Sequence, residues 1–365
     1  KSKKYDDVLD FKFDDKDKNF QNGRKLADLT ERFFSPIFLS VDCDGKIKQG
    51  LGGVPMYTEK PLLFVGNHQL MGIETSLIIN QIYKEKNYLI RGLAHPYVVN
   101  PEIENKNRMI RDSEYLTEKA KSLTKLGAAN GISAQNIKAD EVIGEFMWEL
   151  FDTWGSIRNS DNNGGKSLID TNVLKACGAV PVTPRNFYKL MQNKEPTLLY
   201  PGGVREAAHM KGEGYKLFWP EEPEFVRVAA RFNATIIPVS SIGAEETFTI
   251  IKDTKDFFDL PFGIGERMKR SVEIVRDPRN INKAAAESFP IIRPNLPSRM
   301  YIMFGKPINL EHVKNFDDEK KVYQKVKSSV ENGINYLQRA KEDDPFVKGQ
   351  KRMLAELMGE KSPTF

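Results

Sequence analysis

The stretch LLFVGNHQLMGIETS, residues 62–76, puts a histidine and a carboxylate where they could move a proton. An apolar run ends at Gly66-Asn67-His68, and Glu74 follows six residues after the histidine, in what reads as the first turn of a helix. A neutral histidine has a pKa of about 6.5 and can act as a general base near neutral pH. A carboxylate behind it would fix the ring's tautomer and steady the imidazolium. The same residues also have a plain structural reading. His68 would be a polar turn residue, and Glu74 would favour the positive end of a helix dipole. Taken alone, the pair leaves both readings open.

Three further blocks bear on the choice. CGAVPVTPRNF, residues 177–187, is a short strand followed by Arg185. LLYPGGVREAAHMKGEGYKLFWP, residues 198–220, is a strand entering a Pro-Gly-Gly turn and then Arg205-Glu206. Gly202 and Gly203 permit positive φ and close backbone approach to a ligand, and an arginine is a planar fixed charge suited to phosphate. His209 in that block stands equally as a surface residue. ATIIPVSSIG, residues 234–243, is a strand whose internal Pro238 predicts an edge or strand-end position.

Strand and helix signals alternate along the chain. Strands are expected at Leu62–Val65, Ala179–Thr183, Thr197–Tyr200, Thr235–Ser240 and Arg299–Phe304. Helices are expected at Ile73–Tyr83, with Leu77, Ile78 and Ile82 inward, at Glu222–Phe232, and along residues 311–342. The pattern predicts an α/β fold with a central mixed sheet flanked by helices and a helical insertion at about 100–166. Residues 1–25 read as a solvated lead-in, 26–345 as the main domain and 346–365 as an amphipathic tail. From Lys25 onward, Leu26, Leu29, Phe33 and Phe34 fall at helical spacing and predict a helix packed on the core.

Composition narrows the functional classes. The 365 residues carry a net charge of +5 with both signs mixed, too mild to argue for nucleic acid. No apolar run approaches the roughly 18–20 residues of a spanning helix. Cys43 and Cys177 read as free thiols in a reducing compartment. Four histidines without an H-E-x-x-H pair give metal catalysis little support. Gly164–Ser167 resembles the end of a P-loop, but Ser160 stands where that motif needs glycine. Residues 239–243 lack the first glycine of a nucleophile elbow, and 263–268 lack the third glycine of a dinucleotide fingerprint. Asn233-Ala234-Thr235 is a formal sequon leading into an apolar strand, and burial is expected. His95 and Trp148, Trp154 and Trp219 read as packing residues. The chain begins at Lys1, as a processed or trimmed product does.

The order of the blocks resembles the lysophospholipid acyltransferase superfamily, with its H-x4-D, arginine-ended, P-E-G-T-R and proline-containing blocks. Two departures stand out: the carboxylate falls at Glu74 rather than at Ile73, and the third block reads Pro201-Gly202-Gly203-Val204-Arg205-Glu206. Both resemble one branch, the phytyl ester synthase or diacylglycerol acyltransferase-like proteins of photosynthetic eukaryotes. YPGGVREA followed by KGEGYKLFWPEEPEFVRVAARF carries that likeness, which runs from about Phe34 to Pro345 and weakens over 100–165. Plant members also have an N-terminal α/β-hydrolase-like domain, and no match to it is expected within these residues.

The resemblance implies a glycerolipid acyltransferase-like fold and an O-acyltransferase without metal or cofactor. An acyl group would pass from an acyl-CoA, acyl carrier protein or lipid donor to the hydroxyl of phytol or diacylglycerol. It assigns the base to His68 and its orienting carboxylate to Glu74. Backbone N–H groups at Gly202 and Gly203 would hold the oxyanion, and Arg205, with Arg185 as the weaker candidate, a donor phosphate. It also implies a plastid protein at a thylakoid or plastoglobule surface, touching membrane or lipid droplet peripherally, and a larger assembly. Phe33, Phe34, Ile37, Phe38 and the stretch Lys348–Met358 are the expected lipid-facing residues. The alternative is a non-catalytic lipid-binding or assembly subunit that retains the fold; a third is a hydrolase. The carboxylate's displacement by one residue requires a reshaped Gly66–Gly72 segment, with Gly72 the residue best able to allow it.

Overall fold

The computed structural model describes residues 11–57, 60–95, 99, 171–252, 291–294, 298–347 and 352. The chain divides into two compact units. One comprises Lys1–His95, Asn172–Ile250 and Ile292–Phe365. The other, Pro96–Thr171 with Ile251–Ile291, lies almost wholly outside the described residues, and so does the expected insertion at 100–166.

The first unit is built on a mixed sheet. Its described strands are β1 (Ile37–Val41), β2 (Ile47–Gln49), β3 (Leu62–Gly66), β4 (Arg91–Ala94), β5 (Val180–Pro181), β6 (Thr197–Leu199), β7 (Thr235–Ile242), β10 (Tyr301–Phe304) and β11 (Ile308–Asn309). A separate pair is formed by β8 (Phe248–Lys252) and β9 (Ile291–Pro294). The order across the main sheet is β2-β1-β10-β7-β3-β6-β4-β5, with β11 also on β7. Strands β7, β3, β6, β4 and β5 are mutually parallel, so their carboxyl ends share one edge. Strand β10 runs antiparallel to β7, and β2 antiparallel to β1.

Both faces are covered, which is why the central strands lack polar alternation. Leu63, Val65 and Ile236 turn to one face, against α4 (Pro184–Gln192), α6 (Glu224–Arg231) and α8 (Phe316–Glu342). Leu62, Phe64, Ile237 and Val239 turn to the other, against α2 (Glu74–Lys86), where Leu77, Ile78 and Ile82 are buried as the spacing predicts. The remaining helices are α1 (Lys18–Phe34), α3 (Thr171–Ala176), α5 (Gly203–Ala207) and α7 (Ala244–Thr247). Trp219 is core, and the two cysteines are free. No described helix is long and apolar enough to cross a membrane.

Five expectations are corrected. The lead-in does not extend to residue 25: α1 begins at Lys18, where Asp17 accepts from the N–H groups of Asn19 and Phe20. Its inward seam is Phe20, Ala27 and Phe34, each seven residues apart, so Leu26 (56% exposed) and Leu29 (62%) face outward. Phe34, Ile37 and Phe38 are buried in the core and cannot meet lipid. Lys348–Met358 lies outside the described residues except for Arg352, which is buried. Pro238 is not at an edge but in the middle of the sheet, opposite Val65. Its carbonyl accepts from Gly305 N–H, so its missing donor, on that same side of β7, faces the break between β10 and β11. The sequon also differs, with Asn233 exposed although Ala234 and Thr235 are buried.

The seam of α8 (Val322, Val326, Val330, Gly333, Leu337) packs on β7 and β10. A Cβ at Gly333 would lie 2.1 Å from Ser240 Oγ and 2.8 Å from its Cβ. Gly333→Ala should therefore destabilise the fold, although the same change on an open helix face stabilises by about 1 kcal/mol. Urea unfolding of the two proteins checks this, and a raised midpoint would refute the close contact.

Candidate active site

The sheet order brings three of the four sequence blocks together. His68 lies two residues past β3, Tyr200 directly past β6, and Gly243 directly past β7, with β6 and β7 on either side of β3. The site therefore forms at the carboxyl ends of adjacent parallel strands, where α/β folds present loops. Arg185 follows β5, three strand spacings from β3, or about 14 Å. It is exposed and stands apart from the other three blocks.

His68 Nδ1 lies 2.6 Å from Glu74 Oε1. The ring is 20% exposed and Glu74 is fully buried. With Nδ1–H donating to the carboxylate, Nε2 presents its lone pair, and it has no hydrogen-bond partner among the described residues. Leu70–Gly72 form a single 3-10 turn that takes up the extra residue before α2, and Gly72 adopts the expected positive φ of 67°. A Cβ there would sit 2.7 Å from His68 Cε1, so only glycine fits.

The loop is held along its backbone. Asn67 exchanges both hydrogen bonds of its amide with the backbone of Ser241, at 2.9 Å each, extending the β3–β7 ladder one step past Gly66. His68 N–H donates to Glu206 Oε2 at 2.8 Å, Gln69 N–H to Glu74 Oε1 at 3.3 Å, and Leu70 N–H to Glu245 Oε1 at 3.2 Å. Gln69 Oε1 accepts from Ala244 N–H at 2.9 Å. The His68 ring stacks on Tyr200, with centroids 4.1 Å apart and planes 2° from parallel.

The Pro-Gly-Gly block serves this arrangement. Glu206 is fully buried; its second oxygen accepts from Phe218 N–H at 2.8 Å. Burial raises its pKa, against the lowering effect of the two N–H bonds. A Cβ at Gly202 would lie 2.2 Å from Glu206 Cδ, so this glycine makes room for the carboxylate. Gly203 has φ 50°, and its N–H already donates to Tyr200 O, which removes it as an oxyanion donor in this conformation. Arg205 Nη2 grips both oxygens of Glu213, at 2.8 and 2.7 Å, and its guanidinium lies 3.9 Å over the Phe218 ring. A donor phosphate would have to displace Glu213 to engage that nitrogen.

His209 is buried rather than superficial, with Nδ1 3.0 Å from Glu245 Oε1. Asn67, Tyr200, Glu206 and Glu245 have no role in the sequence reading. Their only signal there is position, immediately after a strand or beside a block residue. Among the described residues no cluster of metal-ligating side chains occurs.

No protein-family model matches the chain. Phytyl ester synthase 1, chloroplastic, of Arabidopsis thaliana is 34% identical over 324 residues, covering 85% of this chain and 36% of that protein. Phytyl ester synthase 2, chloroplastic, of the same plant is 32% identical over 330 residues, covering 88% and 38%. The chain is homologous to the phytyl ester synthases. It spans little more than a third of the length of these curated relatives, 36% and 38%. Among solved structures, the 1-acyl-sn-glycerophosphate acyltransferase PlsC from Thermotoga maritima aligns with a TM-score of 0.41 and 10% identity, over 87% of this chain and 79% of that one. The homology bears out the resemblance read from the ordered blocks.

The His209–Glu245 contact predicts a pH dependence of stability. Burial lowers the pKa of His209, but the Glu245 carboxylate and the Lys216 carbonyl more than offset this, leaving it above 6.5. The protonated ring therefore stabilises the fold. That contribution is full below an unfolded pKa of about 6.5 and fades as pH rises through the higher folded value. The melting-temperature gap between the parent protein and His209→Gln should be widest at acidic pH and narrow toward alkaline pH. A gap independent of pH would mean that the ion pair does not contribute.

Proposed function

We propose that the chain is an O-acyltransferase with His68 as general base. One observation carries the reading: Nδ1 is committed to buried Glu74 at 2.6 Å while Nε2 has no hydrogen-bond partner among the described residues, at the carboxyl edge of the central strands. In the proposed reaction Nε2 takes the proton of an acceptor hydroxyl as its oxygen attacks the acyl carbonyl. The new C–O ester bond forms, the bond to the donor's sulfur or oxygen breaks, and His68 returns the proton to the leaving group. Glu74 holds the tautomer and faces the imidazolium charge.

The acceptor class we propose is a lipophilic alcohol, phytol or diacylglycerol, in line with the names of the homologous proteins. The donor would be an acyl thioester or a lipid ester. On the donor side Arg205 would take a phosphate by exchanging it for Glu213, with Arg185 further along the edge. Gly202 rather than Gly203 offers a backbone N–H to the oxyanion. The word chloroplastic in the relatives' names supports a plastid location, which immunoblots of isolated plastids would check.

Purified protein incubated with acyl-CoA and acyl carrier protein donors plus phytol or diacylglycerol should yield the corresponding esters by mass spectrometry. His68→Ala should lower turnover about 10²- to 10⁴-fold with the melting temperature retained, and Glu74→Gln should cost less. Unchanged turnover in His68→Ala would remove it as the base. Free fatty acid without ester would indicate a hydrolase, and neither product a lipid-holding subunit.

Substrates so poorly soluble in water place the reaction at a lipid surface, and we propose that α1 meets it. Its outer face carries Lys25, Leu26, Leu29 and Arg32, all exposed. Such a face combines apolar contact with basic residues worth about 1 kcal/mol each near anionic lipid. The protein should float with anionic liposomes at low salt and do so less after Leu26→Glu with Leu29→Glu. Equal flotation of both forms would exclude this face.

A further inference from the structure

We propose that Tyr200 is a positioning residue for His68, whose ring plane it fixes and whose imidazolium it receives face-on when Nε2 takes the acceptor's proton. The catalytic half of this inference rests on the reading of His68 as the base.

A single hydrogen bond defines a line, not a plane. Together with the Cβ–Cγ tether, the Nδ1···Oε1 contact restrains the imidazole but leaves it some rocking freedom in its side-chain torsions, and rocking would swing Nε2 off the attacking hydroxyl. The tyrosine ring removes this freedom, lying parallel to the imidazole within 2° at 4.1 Å. On the ring's rim, the absence of a Cβ at Gly72 leaves just enough room for Cε1.

Tyr200 is itself fixed. It is 8% exposed, its carbonyl accepts from Gly203 N–H at 3.0 Å, and its hydroxyl bonds Thr75 Oγ1 at 3.2 Å. It thereby ties the turn after β6 to the first turn of α2, one residue from Glu74. Burial holds the phenol pKa well above its usual value, so the ring stays neutral. A neutral phenol presents a negative π face to a cation within about 6 Å. When His68 gains its second proton, the charge spreads over the ring rather than resting on Nδ1 alone. Glu74 faces one edge of that charge, Glu206 approaches through the His68 backbone, and Tyr200 covers the face. A leucine would fill space there but would offer no π face to a cation.

Tyr200→Phe keeps the face and loses the hydroxyl, whereas Tyr200→Leu loses the face. Turnover in Tyr200→Phe should stay within about threefold of the parent. Tyr200→Leu should lose about tenfold in kcat, inside the roughly 2- to 30-fold that a contact of this kind is worth. Its KM values should hold, while its melting temperature falls because a buried, hydrogen-bonded ring is lost from the core. An independent readout is the spectrum of protein labelled with 13C at histidine Cε1, since there are only four histidines. The resonance lost in His68→Ala should be displaced upfield by the tyrosine ring current in the parent. It should stay there in Tyr200→Phe and move back in Tyr200→Leu. The parent spectrum alone tests the stack even where the leucine variant does not fold. An unshifted His68 resonance, a leucine variant with parental kcat, or a phenylalanine variant as poor as leucine would each overturn the proposal. Full activity in His68→Ala would instead overturn the base reading, and the spectrum would still report on the stack.

Discussion

Three consecutive backbone N–H groups, those of His68, Gln69 and Leu70, each donate to a different glutamate, and the rest of the site depends on this. Leaving β3, the chain can no longer pair these groups with the sheet, yet Gln69 and Leu70 are fully buried. A buried amide without an acceptor costs about as much as a lost hydrogen bond. Glu206, Glu74 and Glu245 supply the acceptors from three separate segments. The arrangement is demanding, since burying carboxylates is unfavourable unless each is compensated. His68 and Gln69 compensate Glu74, the N–H groups of His68 and Phe218 compensate Glu206, and Leu70 with His209 compensates Glu245.

From that constraint the strand order acquires a reason. Glu206 arrives from α5, after β6, and Glu245 from the short helix after β7. Only with β6 and β7 flanking β3 can both reach the same loop. The Pro-Gly-Gly turn is similarly explained from inside the protein. Gly202 is open because the Glu206 carboxylate occupies the space a side chain would take. Arg205 neutralises Glu213 and covers Phe218, the residue whose N–H completes Glu206. A block that reads as a ligand cradle in the sequence is thus also the buttress of the histidine loop.

Much of the fold was legible because it is local. The apolar seam of α2, the all-buried run of β7 and the long amphipathic α8 announce themselves by spacing. Glu74 was legible for the same reason, lying six residues from its partner on one loop. Partners of residues 68–70 that lie more than a hundred residues away were not, since no spacing rule connects this loop to 200, 206 or 245. The face of α1 was misread because Leu26, Leu29 and Phe34 fit one helical stripe while the burial follows another, Phe20, Ala27 and Phe34. Pro238 misled because a proline argues for an edge unless the neighbouring strand is broken opposite it. That break, between Phe304 and Ile308, shows only once β10 and β11 are seen to share β7.

Glu74 answers to two descriptions that looked like rivals. It is the first residue of α2, where free helix N–H groups and the dipole favour a negative charge, and no side chain caps this helix from outside. It is also the partner of His68. The two roles reinforce one another. The start of the helix sets the carboxylate where it can accept from Nδ1–H, and a carboxylate bridging to His68 and to Gln69 N–H fixes where the helix starts. The 3-10 turn at Leu70–Gly72 supplies the geometry, since it takes up the extra residue that sets the carboxylate six places from the histidine. What the spacing alone presented as a choice between a structural acid and a catalytic one is, in the folded chain, a single residue whose structural position is the means of its proposed chemical one.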